Sequence, residues 1–503
     1  MVTPRPEQGR PLRVVVVGGG ITGLAAAHRL LELCRERHVA VDLALCEGRP
    51  RLGGTVATEQ IDGYLIEAGP DSFLTEKPWG LSLCDRIGLT PQLIEPRPFH
   101  RRTFVVYAGR LHPLPDGFHL LAPARLRPLL QSRLFSWKGK ARMAMDLVLP
   151  RGPVRGDESL AGFVTRRFGR EVLERVAQPM VAGIYTADPE TLSLAATMPR
   201  FLEMERGYRS VIRALRRNRP TRDASGPRWS LFVTPAGGME ALVTSLAARL
   251  PAAALRTGRR VVVLREATGG RGAAQREGEQ ERSDGRAGVP GHYRVGLDDG
   301  ASLAADGVIV ATEAHHASRL VAPLDPDMSA LLGAIPYASS ATVTLAYRRE
   351  DVSHPLDGFG FVVPRTEGRP VLACTFSSVK FPGRAPEGRV LLRVFLGGAL
   401  EAGVLDRDDA ALAAVATEQV RALLGSRADP HLVRVHRHPA SMPQYLVGHL
   451  DRVAAITARC ARHPGLALAG AAYRGVGIPD CIRSGEDAAE RVAEDCLSTA
   501  PGG

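Results

Sequence analysis

The sequence predicts a mixed α/β fold, α+β overall, in which a parallel sheet is joined to a second, antiparallel sheet and to a mainly helical lobe. Three observations predict it. Arg13 to Val17 is a nearly continuous, β-branched apolar run opening into glycines, as expected of a strand buried on both faces of a parallel sheet. Apolar residues then recur at helical spacing (Leu24, Ala27, Leu31, Cys34) before a second apolar run, Val41 to Cys46, which completes a βαβ outline. Far downstream, Gly307 to Thr312 reads as a third buried, parallel-type strand, so the chain returns to its first sheet after a long excursion.

The remaining elements follow in order. With 503 residues the chain exceeds one ordinary core. Residues 1–80, 225–315 and 440–503 are assigned to one discontinuous domain. Residues 81–224 are assigned to a mainly helical lobe and part of a second domain, and 316–439 to the sheet-rich remainder of that domain. Within 120–220, Leu160, Phe163, Val164, Phe168, Val172 and Val176 share a helical face after Asp157, the expected N-cap. Such a stripe is core packing first, and a substrate wall or membrane-contact surface second. Residues 266–290 hold charge and glycine with almost no large apolar group, too little to offset the entropy of ordering; they are expected to form a flexible hairpin tip between strands Arg260 to Leu264 and His292 to Leu297. Runs Ala341 to Tyr347, Val371 to Thr375 and Val390 to Phe395 predict the second sheet. Near the end, Gly465 to Ala471 reads as a strand running into a turn. Pro479 then suits the first turn of a helix continued by Ile482, Ala488, Ala489 and Val492.

Composition narrows the function. With 45% apolar and 23% charged residues the chain reads as globular. No apolar stretch is long enough to span a bilayer, and Met-Val-Thr-Pro-Arg-Pro runs into a strand without a signal-peptide core, so a cytoplasmic location is expected and any membrane contact would be peripheral. The seven cysteines (Cys34, Cys46, Cys84, Cys374, Cys460, Cys481 and Cys496) are scattered and never form a C-x-x-C pair; buried, inert thiols are expected, with no disulfide framework and no metal site. The net charge of +12 comes without a clustered basic run or a recognition motif, which argues against nucleic acid and for an anionic small molecule.

Chemistry enters at Gly18-Gly19-Gly20-Ile21-Thr22-Gly23, a G-x-G-x-x-G between strand and helix. Its glycines permit a tight turn, close backbone approach to a pyrophosphate, and close helix–sheet packing, while the helix N-terminus favours the negative charge. Glu47, at the end of the second strand, stands where a carboxylate accepts hydrogen bonds from ribose hydroxyls. Together these predict a Rossmann-like dinucleotide site. NAD and FAD share that signature. At the other end, Gly475-Val476-Gly477-Ile478-Pro479-Asp480 opens a helix whose N-terminus could face a flavin N1–C2 carbonyl edge.

The string Glu47-Gly48-Arg49-Pro50-Arg51-Leu52-Gly53-Gly54 resembles the extended FAD fingerprint of flavoproteins of the glutathione-reductase and amine-oxidase type. Gly69-Pro70-Asp71-Ser72-Phe73-Leu74, Gln178 to Tyr185, Ser441-Met442-Pro443-Gln444-Tyr445 and Gly475 to Ile482 look like segments of the bacterial soluble coproporphyrinogen III oxidase and protoporphyrinogen oxidase family. The resemblance implies that Gly18 to Gly23, Glu47, Gly48, Arg51, Gly54 and Thr55 hold the ADP half of FAD, with Thr55 where a lysine is common. It implies that Gly69, Pro70, Asp71 and Ser72 pass beside the isoalloxazine, that Val261 contacts the adenine, and that Val476, Gly477 and Ile478 face the pyrimidine edge. His438 stands where a family member has tryptophan, a departure at a flavin contact. Lys77 falls where the family has a basic residue near a substrate propionate, although a solvated lysine would look the same and the lobe's arginines are alternative partners.

The expected activity is an oxygen-dependent, six-electron oxidation of coproporphyrinogen III to coproporphyrin III in haem synthesis, with hydrogen peroxide released. No protein nucleophile or catalytic side chain is needed, since the task is to hold the macrocycle against FAD. Molecular oxygen and a downstream ferrochelatase or other haem-pathway enzyme are the expected partners. Protoporphyrinogen IX oxidase is the nearest alternative; an FAD amine oxidase and a non-catalytic porphyrin carrier are more distant ones.

Overall fold

A computed structural model describes residues 10–98, 102–152, 156–217, 230–267 and 292–498. Its first sheet has five parallel strands in the order Leu255–Thr257, Val41–Glu47, Leu12–Val17, Gly307–Val310, Leu466–Leu468. The period of two divides the first strand between two cores. Val14 and Val16 pack with the helices Ile21–Glu36 and Ile478–Ser498 on one face, while Val15 and Val17 pack with the helices Ala314–Val321, Pro326–Gly333 and His449–Cys460 on the other. The first and last helices cross where Gly485 leaves no room for a side chain: a Cβ there would lie 2.2 Å from Thr22 O.

The second sheet has seven strands in the order Leu432–Pro443, Tyr337–Arg348, Arg389–Gly397, Ala373–Phe376, Gly360–Val362, Thr103–Tyr107, Arg110–Pro113. It is antiparallel except where Gly360–Val362 runs parallel to Thr103–Tyr107. The last two strands come from the stretch assigned mainly to the helical lobe and tie that stretch to the sheet.

In the lobe, Leu160, Phe163, Val164, Phe168, Val172 and Val176 are fully buried in one cluster, as their spacing predicts. The cap differs from expectation. Ser159, not Asp157, accepts from the Gly162 amide at 3.1 Å, because the helix starts at Leu160, too far along for Asp157 to reach its free amides. Asp157 instead accepts from the Gly448 amide at 3.1 Å, linking the lobe to the distant chain. The helix stops at Phe168 because Gly169 takes φ +93°, and a π-helical turn Leu173–Ala177 follows.

Strands Val261–Glu266 and Tyr293–Leu297 pair antiparallel, and the connection expected to be a flexible tip lies, from residue 268 on, outside the described residues. All seven cysteines are free; six are buried and Cys496 is half-buried.

Candidate functional site

The glycine turn is built by close backbone approach. Gly18 donates to Cys46 O at 2.8 Å and holds φ +106°, with a Cβ position 2.7 Å from Ala311 O. A Cβ on Gly23 would sit 1.9 Å from Gly18 O, so the helix can begin only on glycine there. Gly20 is different: nothing lies within 4 Å of its Cβ position, which leaves a space at the helix start. Gly20 is also the N-cap and offers no side chain, so the first-turn amides over Ile21, Thr22 and Gly23 are left for a ligand.

Glu47 closes the turn from the side. One carboxylate oxygen accepts from Gly19 N and the other from Arg49 N, both at 2.8 Å, which fixes the group while leaving each oxygen capacity to accept a further hydrogen bond. Gly53 donates to Gly19 O at 2.8 Å, bringing the loop after Glu47 against the turn. Arg51 supports that loop, donating to Gly54 O at 2.6 Å and to Val56 O at 3.2 Å. Gly48 packs on Arg260, and Val261, next in that chain, is buried in the outer core of the sheet. Gly69 meets Thr55 so closely that a Cβ would lie 1.9 Å from Thr55 O, so the 69–72 turn leaves directly from the glycine-lined seam.

Beyond Pro70 the chain reaches the second sheet. Asp71 is gripped by Lys380 Nζ at 3.0 Å to each oxygen, and Ser72 Oγ donates to it at 2.7 Å. Burial alone would raise the Asp71 pKa, but the neighbouring Lys380 and Arg393 cations hold it down to about 2. His438 Nε2 donates to Ala68 O at 2.9 Å; burial, reinforced by Arg393, lowers its pKa to about 4, so its ring is neutral at pH 7.

The C-terminal turn completes the seam. Tyr445 Oη donates to Ala471 O at 2.5 Å and accepts from Gly475 N at 2.8 Å, pinning the chain just before Val476, Gly477 and Ile478. Its ring stacks on His449 with centroids 4.0 Å apart. Burial pushes the Tyr445 phenol well above its ordinary value, so it stays a donor. Val476 packs on the helical lobe's core, bringing three parts of the molecule to one place. Lys77 contacts both Asp480 oxygens, at 2.7 and 2.5 Å, so its ammonium stands beside this helix start while remaining 41% exposed.

A separate cleft of about 360 Å³ opens between the helices His449–Cys460 and Ile478–Ser498. It includes Asp480 but none of the glycine-turn residues. Sequence reasoning missed Lys380, Arg393 and the clamping role of Tyr445. Arg393 carried a signal: it is the charge inside the apolar run Val390 to Phe395.

The arrangement of open helix start, flanking carboxylate and glycine-lined seam suits an extended dinucleotide. The family model described as "Flavin containing amine oxidoreductase" matches residues 21–493. The coproporphyrinogen III oxidase of Bacillus subtilis (strain 168) is 34% identical over 479 residues, 94% of this chain and 96% of the relative. The chloroplastic protoporphyrinogen oxidase of Oryza sativa subsp. japonica is 30% identical, covering 95% of this chain and 88% of its own. Among solved structures, that of a putative protoporphyrinogen oxidase from Exiguobacterium sp. 255-15 superposes with a TM-score of 0.81 at 29% identity, over 97% of this chain and 100% of the other.

Proposed function

The chain belongs to the family of flavin-containing amine oxidoreductases, and from that premise we propose that it is an FAD-dependent oxidase converting coproporphyrinogen III to coproporphyrin III. The observation that carries this reading is the 34% identity to a coproporphyrinogen III oxidase across nearly the whole of both chains. When bound, FAD would supply the acceptor for the three hydrides of the six-electron oxidation and the route by which oxygen becomes hydrogen peroxide.

The chain's own residues hold and shield. The free amides at Gly20 to Gly23 would take the pyrophosphate, Glu47 the ribose, and Val261 the adenine. The Gly69–Ser72 turn and the Val476–Ile478 helix start would flank the ring, and Tyr445 fixes the second of these by its paired hydrogen bonds. Gly48, Arg51, Gly54 and Thr55 shape the loop beneath, and His438, neutral, ties the second sheet to Ala68.

Anaerobic coproporphyrinogen III should bleach the flavin absorbance. An unbleached flavin would mean a carrier. In turnover, kcat/KM should favour coproporphyrinogen III over protoporphyrinogen IX, because cations meant for propionates go unpaired against vinyl groups. Lys77→Ala should erode that preference about tenfold, roughly 1.4 kcal/mol, since it both removes a cation and bares the Asp480 carboxylate. Equal or reversed preference in the unmodified protein would establish the protoporphyrinogen reading instead.

The reaction belongs in the cytoplasm on this reading, and a haem-pathway enzyme would take up the product. No helix of the described residues is long and apolar enough to cross a membrane. The lobe nevertheless exposes Leu130 (51%), Trp137 (72%), Met145 (45%) and Val148 (69%) among exposed Arg125, Arg127, Arg133, Lys138 and Arg151, while the acid of that stretch, Asp146, is buried. Exposed apolar residues interspersed with more cations than anions, Glu171 beside Ser136 being an acid among them, suit peripheral contact with anionic lipid. The protein should float with phosphatidylglycerol vesicles at low salt, and Trp137→Ser or raised salt should release it. Equal recovery with neutral phosphatidylcholine vesicles would refute the electrostatic part.

A further inference from the structure

One face of the seven-stranded sheet is polar where it meets the nucleotide domain. Paired residues of neighbouring strands share a face, and pairings Thr342 to His436, Thr344 to Arg393, and Arg393 to Thr375 place these side chains together. Their chain neighbours Val343, Leu345, Leu392 and Val394 fill the core on the other face. Arg393 is only 5% exposed, its guanidinium donates to Ala68 O at 3.0 Å, and its Nε has no partner among the described residues. The hydroxyls of Thr342 and Thr344, 3% and 1% exposed, are also unpartnered there.

Opposite this face stand Asp71, clamped by Lys380, and Glu67, 3.8 Å from Arg384. Asp71, Glu67, Arg384, Arg393 and Thr344 surround a cavity of about 10 Å³, room for roughly one water. Three cations thus face two carboxylates in a space largely closed to solvent. Charge buried in this way is expensive to desolvate, and a fold gains little stability from it over apolar packing. A surplus of positive charge with unused donors, placed directly behind Gly69–Ser72, therefore calls for a role in the site.

We propose that Lys380, held by Asp71, and Arg393, held by Ala68 O, are positioning residues that set the redox balance of the bound flavin by placing surplus positive charge behind the 69–72 turn. This rests on reading that turn as the flank of the flavin ring. Positive charge in a low-dielectric setting stabilises the negatively charged reduced ring more than the neutral oxidised one. The face thereby favours electron uptake from the substrate without touching it.

The test is the flavin midpoint potential of the holoenzyme, measured by equilibration with a reference dye. Lys380→Met and Arg393→Gln should each lower the reduced-to-oxidised ratio about tenfold at a given potential, which for a two-electron couple is about 30 mV. Asp71→Asn, which deletes a negative charge, should move it the opposite way by a similar factor. General damage to the site would move all three in one direction. Arg393→Lys keeps the charge and should stay within about twofold of the unmodified protein; if Asp71→Asn fails to fold, the Arg393→Lys and Arg393→Gln pair decides alone. Like-signed shifts for Lys380→Met and Asp71→Asn, or an unmoved Arg393→Gln, overturn the proposal. An unmodified protein that binds no FAD overturns the functional reading, and this one with it; flavin-loaded variants with unchanged potentials overturn this one only.

Discussion

Gly23→Ala should purify without flavin. The added methyl would begin 1.9 Å from Gly18 O and 3.1 Å from Gly18 C, and neither is the end of a side chain that can swing away. Relief requires the helix Ile21–Glu36 to back off the turn, which moves the free amides that would take the pyrophosphate. That helix also packs against the C-terminal helix at Gly485, so a shift disturbs the Val476–Ile478 end of the site as well. Flavin absorbance per mole of protein should fall below about a tenth of the unmodified value, a loss of more than roughly 1.4 kcal/mol in binding. Gly20→Ala supplies the contrast. Its Cβ meets no protein atom, so thermal stability should be unchanged while FAD affinity falls about tenfold through intrusion on the pyrophosphate's space. Full flavin content in Gly23→Ala would refute the role given to this turn.

These two glycines also show how far the sequence could be read. The strand Arg13 to Val17, the glycine turn and Glu47 lie within 40 residues, and their pattern is local: a nearly continuous apolar run, then a turn, then a period near four. Their assembly in the structure follows that pattern. The C-terminal turn at Gly475 was equally legible as a helix start, but Tyr445 as its clamp was not, because the hydrogen bonds that make it one span some 30 residues. Asp71 and Lys380 are 309 positions apart, and Lys77 and Asp480 are 403 apart. Neither partner carries a local pattern that names the other. Asp157 misled for a related reason: it is a good N-cap residue, but Ser159 stands closer to the first helical residue, and Asp157 was free to tie down Gly448. Arg393 was the exception, a charged residue within a run of apolar ones, where burial without a partner should prompt a search for one.

Asp146→Ala should unfold the helical lobe while leaving the nucleotide domain folded. Asp146 is fully buried, and Arg167, the largest side chain in the lobe's interior, is 1% exposed. Arg167 Nε donates to Asp146 Oδ1 at 2.7 Å, and its other nitrogens donate to Pro150 O at 2.8 Å, to Asp146 O at 3.0 Å and to Arg209 O at 2.8 Å. The second Asp146 oxygen accepts from Ser210 Oγ at 2.6 Å and from Ile212 N at 3.0 Å, so it also caps the helix Val211–Arg217. The network is satisfied on both sides, and removing the Asp146 carboxylate leaves Arg167 Nε, the Ser210 hydroxyl and the Ile212 amide without their buried acceptor, with Glu205 at 3.3 Å as the carboxylate still facing the guanidinium. Breaking such a pair costs about 3–5 kcal/mol, whereas replacing both partners by apolar residues of similar volume is often neutral. The lobe's core is a cluster distinct from the one built by the first and last helices. Limited proteolysis of Asp146→Ala should therefore cut first between residues 120 and 217, with flavin retained and porphyrinogen turnover lost, and Asp146→Leu combined with Arg167→Met should recover much of the protection. Cleavage and flavin loss advancing together would show instead that the two cores unfold as one unit.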